Sequence, residues 1–170
     1  TQELHTYREI RQQPQVWVKA YDTILARKAE IQSFLHANFN EDYSIVLTGA
    51  GTSAYIGDAL ELALSKINRS VRAIATTDII TNPEMYFDKN SKVLLVSFAR
   101  SGNSPESVAA YEVANKFCPG SNHLIITCNP DGELAKRVEP GKDLVIVLPD
   151  GTNDRSLAMT SSFTSMLVTS

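Results

Sequence analysis

The chain has 170 residues, 43% of them hydrophobic, and a formal net charge of −3 at pH 7. This length can bury a single core, and the mildly acidic charge offers no surface for nucleic acid or an anionic membrane. No apolar run approaches the roughly 20 residues that a membrane-spanning helix needs. Cys118 and Cys128 lack metal-ligand spacing, so we expect reduced thiols in a cytoplasmic protein that uses neither a metal nor a cofactor.

Residues 1–40 are predicted to form an N-terminal arm and one long helix. Residues 1–13 are largely polar and show no clear period. From Pro14 to Leu35, apolar side chains recur at spacings of three and four residues, which is typical of an amphipathic helix. We expect this helix to pack on the rest of the domain or on a second copy of the chain.

Residues 41–170 alternate between short runs rich in β-branched residues and helical patterns. The predicted strands are 43–47, 71–75, 93–98, 124–128 and 144–148. The predicted helices lie between them, at about 53–67, 105–117 and 133–138. This alternation indicates an α/β fold with a parallel sheet and right-handed crossovers.

Two hydroxyl-rich loops follow the first and third predicted strands. They are Gly51-Thr52-Ser53 and Arg100-Ser101-Gly102-Asn103-Ser104. Ser104 and Pro105 are residue types favoured at the N-cap and first position of a helix, so the second loop points N–H groups, hydroxyls and a guanidinium at one spot. We expect this spot to bind phosphate. In a sheet of flavodoxin-like order 2-1-3-4-5, both loops flank the crevice where ligands bind.

The first loop also allows a different interpretation. Gly49-x-Gly51-x-x-Ala54 fits the fingerprint of a dinucleotide-binding fold, and Asp78 could then bind a ribose hydroxyl. This hypothesis leaves Ser101 and Ser104 without a function. A third interpretation is that the serines only cap helices.

With these loops placed, the chain resembles the sugar isomerase (SIS) domain family, which has a flavodoxin-like sheet of order 2-1-3-4-5. The family's first loop is usually Gly-Thr-Ser, and its second is usually Ser-x-Ser-Gly-x-Thr/Ser. Residues 51–53 and 99–104 match these loops, although Ala99 replaces the first serine of the second. A small-residue-rich helix start in the family matches residues 157–162, which include Thr160 and Ser161.

The resemblance is closer to one branch, the bacterial tagatose-6-phosphate ketose/aldose isomerase group, also described as galactosamine-6-phosphate deaminase/isomerase. The segments that carry it are 48–58, 76–78, 81–83, 100–107 and 158–162. Proteins of this branch contain two SIS domains. The resemblance therefore implies that residues 41–170 are the first SIS domain, cut within its last helix, and that the second is absent.

The resemblance implies a site that holds the phosphate of a phosphorylated sugar. Phosphate contacts carry over to Ser53, Ser101 and Ser104, with Gly51 and Thr52 close by. Five further residues keep two interpretations each, or only a weaker match. Arg100 could pair with the phosphate or with an acidic residue of the protein. Asn103 could reach a sugar hydroxyl or form a turn, and Asp78 could face the crevice or cap a turn. Thr160 and Ser161 belong to the third matching segment.

The resemblance also implies an enzyme, a sugar-phosphate isomerase or deaminase of amino-sugar catabolism. In related isomerases, the glutamate base and the ring-opening histidine lie in the second SIS domain or in a neighbouring subunit. His5, His123 and Glu106 are poor substitutes, so this chain is expected to be the substrate-binding half. Because members of the family usually form even-numbered assemblies, the resemblance also implies a homodimer or homotetramer. The alternative is a non-catalytic SIS module that senses a sugar phosphate.

Overall fold

The structure is a computed structural model that describes residues 4–40, 42–68 and 70–170. Its centre is a five-stranded, wholly parallel sheet of order β2-β1-β3-β4-β5, which confirms the predicted fold. The strands are β1 (Ser44–Gly49), β2 (Val71–Ala73), β3 (Lys92–Ala99), β4 (Gly120–Thr127) and β5 (Leu144–Val147).

Helices cover both faces of the sheet. They are α1 (His5–Ala26), α2 (Lys28–Asn38), α3 (Ala54–Leu64), α4 (Thr76–Thr81), α5 (Pro105–Phe117), α6 (Glu133–Lys136) and α7 (Ser161–Val168). On one face, apolar side chains of α1, α2, α3 and α7 pack with alternate strand residues such as Leu94 and Phe98. On the other face, α4 and α5 pack over the intervening residues such as Val93 and Leu95. Strands buried on both faces explain the nearly continuous apolar runs in the sequence.

The prediction of an N-terminal arm is wrong, because α1 already begins at His5; residues 1–3 lie outside the described part of the chain. Pro14 sits inside this helix and lacks the N–H that would bond to the carbonyl of Ile10. The Gln13 side chain takes over, and its Nε2 donates to that carbonyl at 3.0 Å. A local side-chain contact therefore offsets part of the cost of the proline.

The single long helix predicted from Pro14 is also wrong, because the chain turns at Arg27 between α1 and α2. The Arg27 backbone leaves helical geometry, with φ −107° and ψ 13°. Its Nη1 donates to the carbonyl of Val145 in β5 at 2.6 Å, and its Nε pairs with Glu30 at 2.8 Å. Arg27, at the break between the two helices, thus connects the helical layer to the edge strand β5.

The other boundaries shift by a few residues. The helix α5 has its predicted limits, whereas α3 ends at Leu64 instead of near residue 67, and Ile67 is 75% exposed. Cys118 and Cys128 are buried free thiols. Among the described residues, no helix is long and apolar enough to cross a membrane.

Candidate anion-binding site

A cavity of ≈ 110 Å³ lies at the carboxyl ends of β1 and β3. These two strands are neighbours in the sheet, and Gly49 of β1 is level with Phe98 of β3, so the loops that follow them meet. The cavity brings together four residues predicted for the site, Ser53, Arg100, Ser101 and Ser104. The remaining lining residues are Ala50, Phe98, Ala99, Gly102, Ser107 and Met159.

Close backbone packing shapes the first loop. A Cβ at Gly49 would lie 2.6 Å from the backbone carbon of Ser53, so only glycine allows the chain to fold back this tightly. Gly51 has a φ of 55°, in the left-handed region. Ser53 is consequently buried beside the cavity, where its Oγ lies 3.8 Å from the sulfur of Met159. This contact is weak, so the hydroxyl remains suited to a better acceptor.

The second loop is held by the loop that follows β4. Asn129 Nδ2 donates to the carbonyl of Ser101 at 2.8 Å, and the Leu134 N–H donates to the carbonyl of Gly102 at 2.9 Å. A Cβ at Gly132 would lie 2.6 Å from the same Ser101 oxygen. Gly102 itself has a φ of 66°. The loop therefore has one defined shape before any ligand binds.

Ser104 precedes α5 as its N-cap residue, but its side chain makes no capping hydrogen bond to the described residues. Only its carbonyl takes part, accepting from the N–H groups of Ser107 and Val108 at 3.0 and 3.2 Å. The predicted N-cap position of Ser104 is confirmed, whereas the interpretation in which its hydroxyl only caps the helix gains no support. The hydroxyl and the N–H groups of the first turn are consequently suited to an anion at the positive end of α5.

Ser107 also lines the cavity and was missed as a site residue. It is 4% exposed and lies one turn along α5 from Ser104. Residues three apart share a helix face. That spacing from a predicted site serine is the signal that could have found it.

Arg100 has a partner that neither interpretation of the sequence named. Its Nη1 donates to the carbonyl of Ser156, in the loop between β5 and α7, at 2.9 Å. This bond uses one of the five N–H donors of the guanidinium. Arg100 therefore lines the cavity while the carbonyl of Ser156 holds its guanidinium.

Five other predicted residues lie outside the cavity lining. Gly51 and Thr52 are exposed beside it, and Asp78 is exposed in the first turn of α4. Asn103 Oδ1 accepts from the Glu133 N–H at 2.9 Å, which favours its interpretation as a structural turn residue. Thr160 is held at the start of α7, its N–H donating to Asp154 Oδ2 at 2.8 Å.

Ser161, the last of the predicted site residues, also lies away from the cavity. Its Oγ donates to the carbonyl of Glu9 at 2.8 Å, and its N–H donates to Asp154 Oδ1 at 3.2 Å. The side chain is fully buried. Ser161 therefore joins α7 to α1.

The described lining of the cavity carries a cation but no group suited to proton transfer. Among the described lining residues, Arg100 is the only charged side chain. His123 is fully buried within β4, and burial lowers its pKa to about 4. Burial raises the pKa of Cys128 to about 12, so this thiol is no nucleophile. The arrangement can hold an anion, and the described lining residues supply no base.

Comparison with known proteins decides the family, because the SIS domain model matches residues 39–169. The chain belongs to the SIS domain family. This SIS domain is 44% identical over 165 residues to the D-galactosamine-6-phosphate deaminase AgaS of Escherichia coli, covering 95% of the chain and 43% of that protein. The AgaS of Shewanella sp. strain ANA-3 is 43% identical over 166 residues, again covering 95% and 43%.

A solved structure shows the same architecture. The tagatose-6-phosphate ketose/aldose isomerase of Escherichia coli superposes with a TM-score of 0.92 at 42% identity, covering 98% of this chain and 46% of that one. The SIS domain described here thus spans less than half the length of these relatives. The predicted family is confirmed. Asp78, the residue that the dinucleotide hypothesis needs, lies in the first turn of α4 and does not line the cavity.

Proposed function

We propose that this SIS domain binds the phosphate group of a hexose or hexosamine 6-phosphate. The observation that carries the proposal is the cavity between the two loops, which Ser53, Ser101 and Ser104 line together with Arg100. A phosphate dianion accepts hydrogen bonds from hydroxyls and N–H groups, and a guanidinium and a helix N-terminus both stabilise its charge.

We propose that the whole protein converts galactosamine-6-phosphate and water into tagatose-6-phosphate and ammonia, or interconverts related aldose and ketose phosphates. The names of the AgaS relatives and of the solved isomerase support this proposal. Both reactions move a proton between C1 and C2 of an open-chain sugar, which requires a base tuned near neutral pH. In this proposal, the cavity binds the phosphate at C6, and the reacting carbons C1 and C2 lie outside the cavity.

The base and the ring-opening acid are proposed to belong to a second SIS domain or to a neighbouring subunit. The described cavity wall holds Arg100 but no carboxylate or imidazole. A dimeric or tetrameric cytoplasmic enzyme is part of the same proposal. The assembly and the location rest on the family resemblance, whereas the relatives' greater length supports only the second SIS domain.

Turnover of galactosamine-6-phosphate by the purified full-length protein tests the activity. We expect ammonia and tagatose-6-phosphate to form in equal amounts, measured by an ammonia-coupled assay and by NMR of the sugar product. Unphosphorylated galactosamine is the control and should not react. Binding without any turnover would contradict the enzyme proposal and favour a sensor. Absence of binding would contradict the phosphate site itself.

A further inference from the structure

Glu9 is a buried carboxylate, although no pattern in the sequence predicts its burial. It lies on α1 and is only 6% exposed. Its Oε1 accepts from the N–H groups of Arg155 and Ser156, at 2.6 and 3.2 Å, and its Oε2 accepts from the Ser156 hydroxyl. One side chain of α1 therefore fixes two consecutive residues of the loop between β5 and α7.

The same residue of that loop holds the cation of the candidate site. The carbonyl of Ser156 accepts from Arg100 Nη1 at 2.9 Å. Glu9 binds the N–H and hydroxyl of Ser156, and Arg100 binds its carbonyl. The contacts form a continuous series from α1 through one loop residue to the guanidinium at the cavity.

We propose that Glu9 is a positioning residue for the sugar-phosphate site, acting through Ser156 on Arg100. This inference rests on the proposed function, because it assumes that Arg100 contacts the bound phosphate. Glu9 itself does not line the cavity. Its role is to keep the Ser156 carbonyl where it holds the guanidinium in one orientation, so that less side-chain freedom is lost when phosphate binds.

The contacts around Glu9 explain why a carboxylate is needed there. Two N–H groups and one hydroxyl point at it, and unpaired buried donors are costly. Alanine would leave the two N–H groups without their acceptor, whereas the Ser156 hydroxyl keeps the carbonyl of Ala158 at 2.9 Å. The loop would then rearrange around the unpaired N–H groups. Glutamine keeps the shape and one oxygen, so it should hold the two N–H groups while weakening the contact with the hydroxyl.

The test is the affinity of the full-length protein for galactitol 6-phosphate, a probe that has no carbonyl and cannot react. We expect Glu9→Ala to raise its Kd by on the order of tenfold, as Arg100→Ala does, because a hydrogen bond to a charged group is lost or misplaced. Adding Glu9→Ala to Arg100→Ala should give no further loss. The Kd of Glu9→Gln should lie between those of the wild type and Glu9→Ala. If Glu9→Ala does not fold, Glu9→Gln takes its place in the double-mutant comparison with Arg100→Ala.

Asp143→Asn is the matched control. Asp143 is also buried, at 8% exposure, and also accepts from three donors, the N–H groups of His123 and Glu139 and the hydroxyl of Tyr111. This variant should lose stability while its Kd changes less than twofold. An unchanged Kd in the Glu9 variants, or a full additional loss in the Arg100→Ala background, would overturn the inference. A wild-type protein that binds no hexitol phosphate would instead overturn the proposed function.

Discussion

His123 is a buried imidazole at the middle of β4 with an unusual environment. It is fully buried and packs against Tyr111 in a tilted arrangement, with ring centroids 4.0 Å apart. Its Nδ1 has no hydrogen-bond partner among the described residues. Burial lowers the pKa of His123 to about 4, Asp143 partly opposes this shift, and Lys142 adds to it. The folded protein therefore holds the ring neutral at pH values where the unfolded chain charges it.

This histidine predicts an acid-sensitive stability. Below a pH of about 6.5 the unfolded chain binds a proton on His123 that the folded protein does not bind, so the free energy of unfolding falls with the pH. The contribution is complete above that pH and is lost as the pH falls through about 4. Its full size is roughly 3 kcal/mol.

Urea denaturation at pH 7 and pH 5 measures this effect. His123→Phe keeps a ring against Tyr111 and should reduce the loss of stability between the two pH values. His36→Gln is the control, because His36 is exposed in α2, and it should leave the loss unchanged. Equal loss in wild type and His123→Phe would show that other groups control the acid sensitivity.

At the scale of elements, the second loop is the part of the site most sensitive to backbone change. Gly102 has a φ of 66°, and a Cβ there would lie 3.3 Å from the Cα of Gly132. We expect Gly102→Ala to cost about 1–2 kcal/mol of stability and to weaken galactitol 6-phosphate binding on the order of tenfold or more. The loss of binding follows because the strain moves Ser101, whose carbonyl is fixed beside Gly132.

Gly141 provides a matched control for that change. It also has a positive φ, of 84°, but nothing lies within 4 Å of a Cβ built there. Gly141→Ala should cost a similar strain energy and leave the Kd unchanged, as measured by calorimetric titration. If both glycine variants bind the probe like the wild type, the shape of the second loop does not determine affinity.

Elements whose limits are set by local chemistry were predictable, and those set by distant contacts were not. The sequence Ser104-Pro105 fixes the start of α5, and its predicted range is the observed one. The range of α1 depends on Gln13 satisfying the carbonyl of Ile10 and on contacts with α7, which no local pattern reveals. The break at Arg27 likewise depends on a carbonyl 118 residues away.

At the scale of the molecule, the strand order brings the site together. Because β1 and β3 are neighbours, loops about 50 residues apart in sequence form one wall, and the sequence predicted this pairing of Ser53 with Ser101 and Ser104. The bond of Arg100 with the Ser156 carbonyl was not predicted. A backbone acceptor has no sequence signature, and its position depends on how the loop after β5 is anchored to α1.

The most direct test of the phosphate site is calorimetric titration of the full-length protein with galactitol 6-phosphate and with galactitol. We predict binding of the phosphorylated hexitol alone. Ser101→Ala should weaken it on the order of tenfold or more while changing the free energy of unfolding by less than about 1 kcal/mol. Ser44→Ala, at the opposite end of β1, should bind like the wild type. Equal affinity for the two hexitols, or an unchanged Kd in Ser101→Ala, would contradict the account.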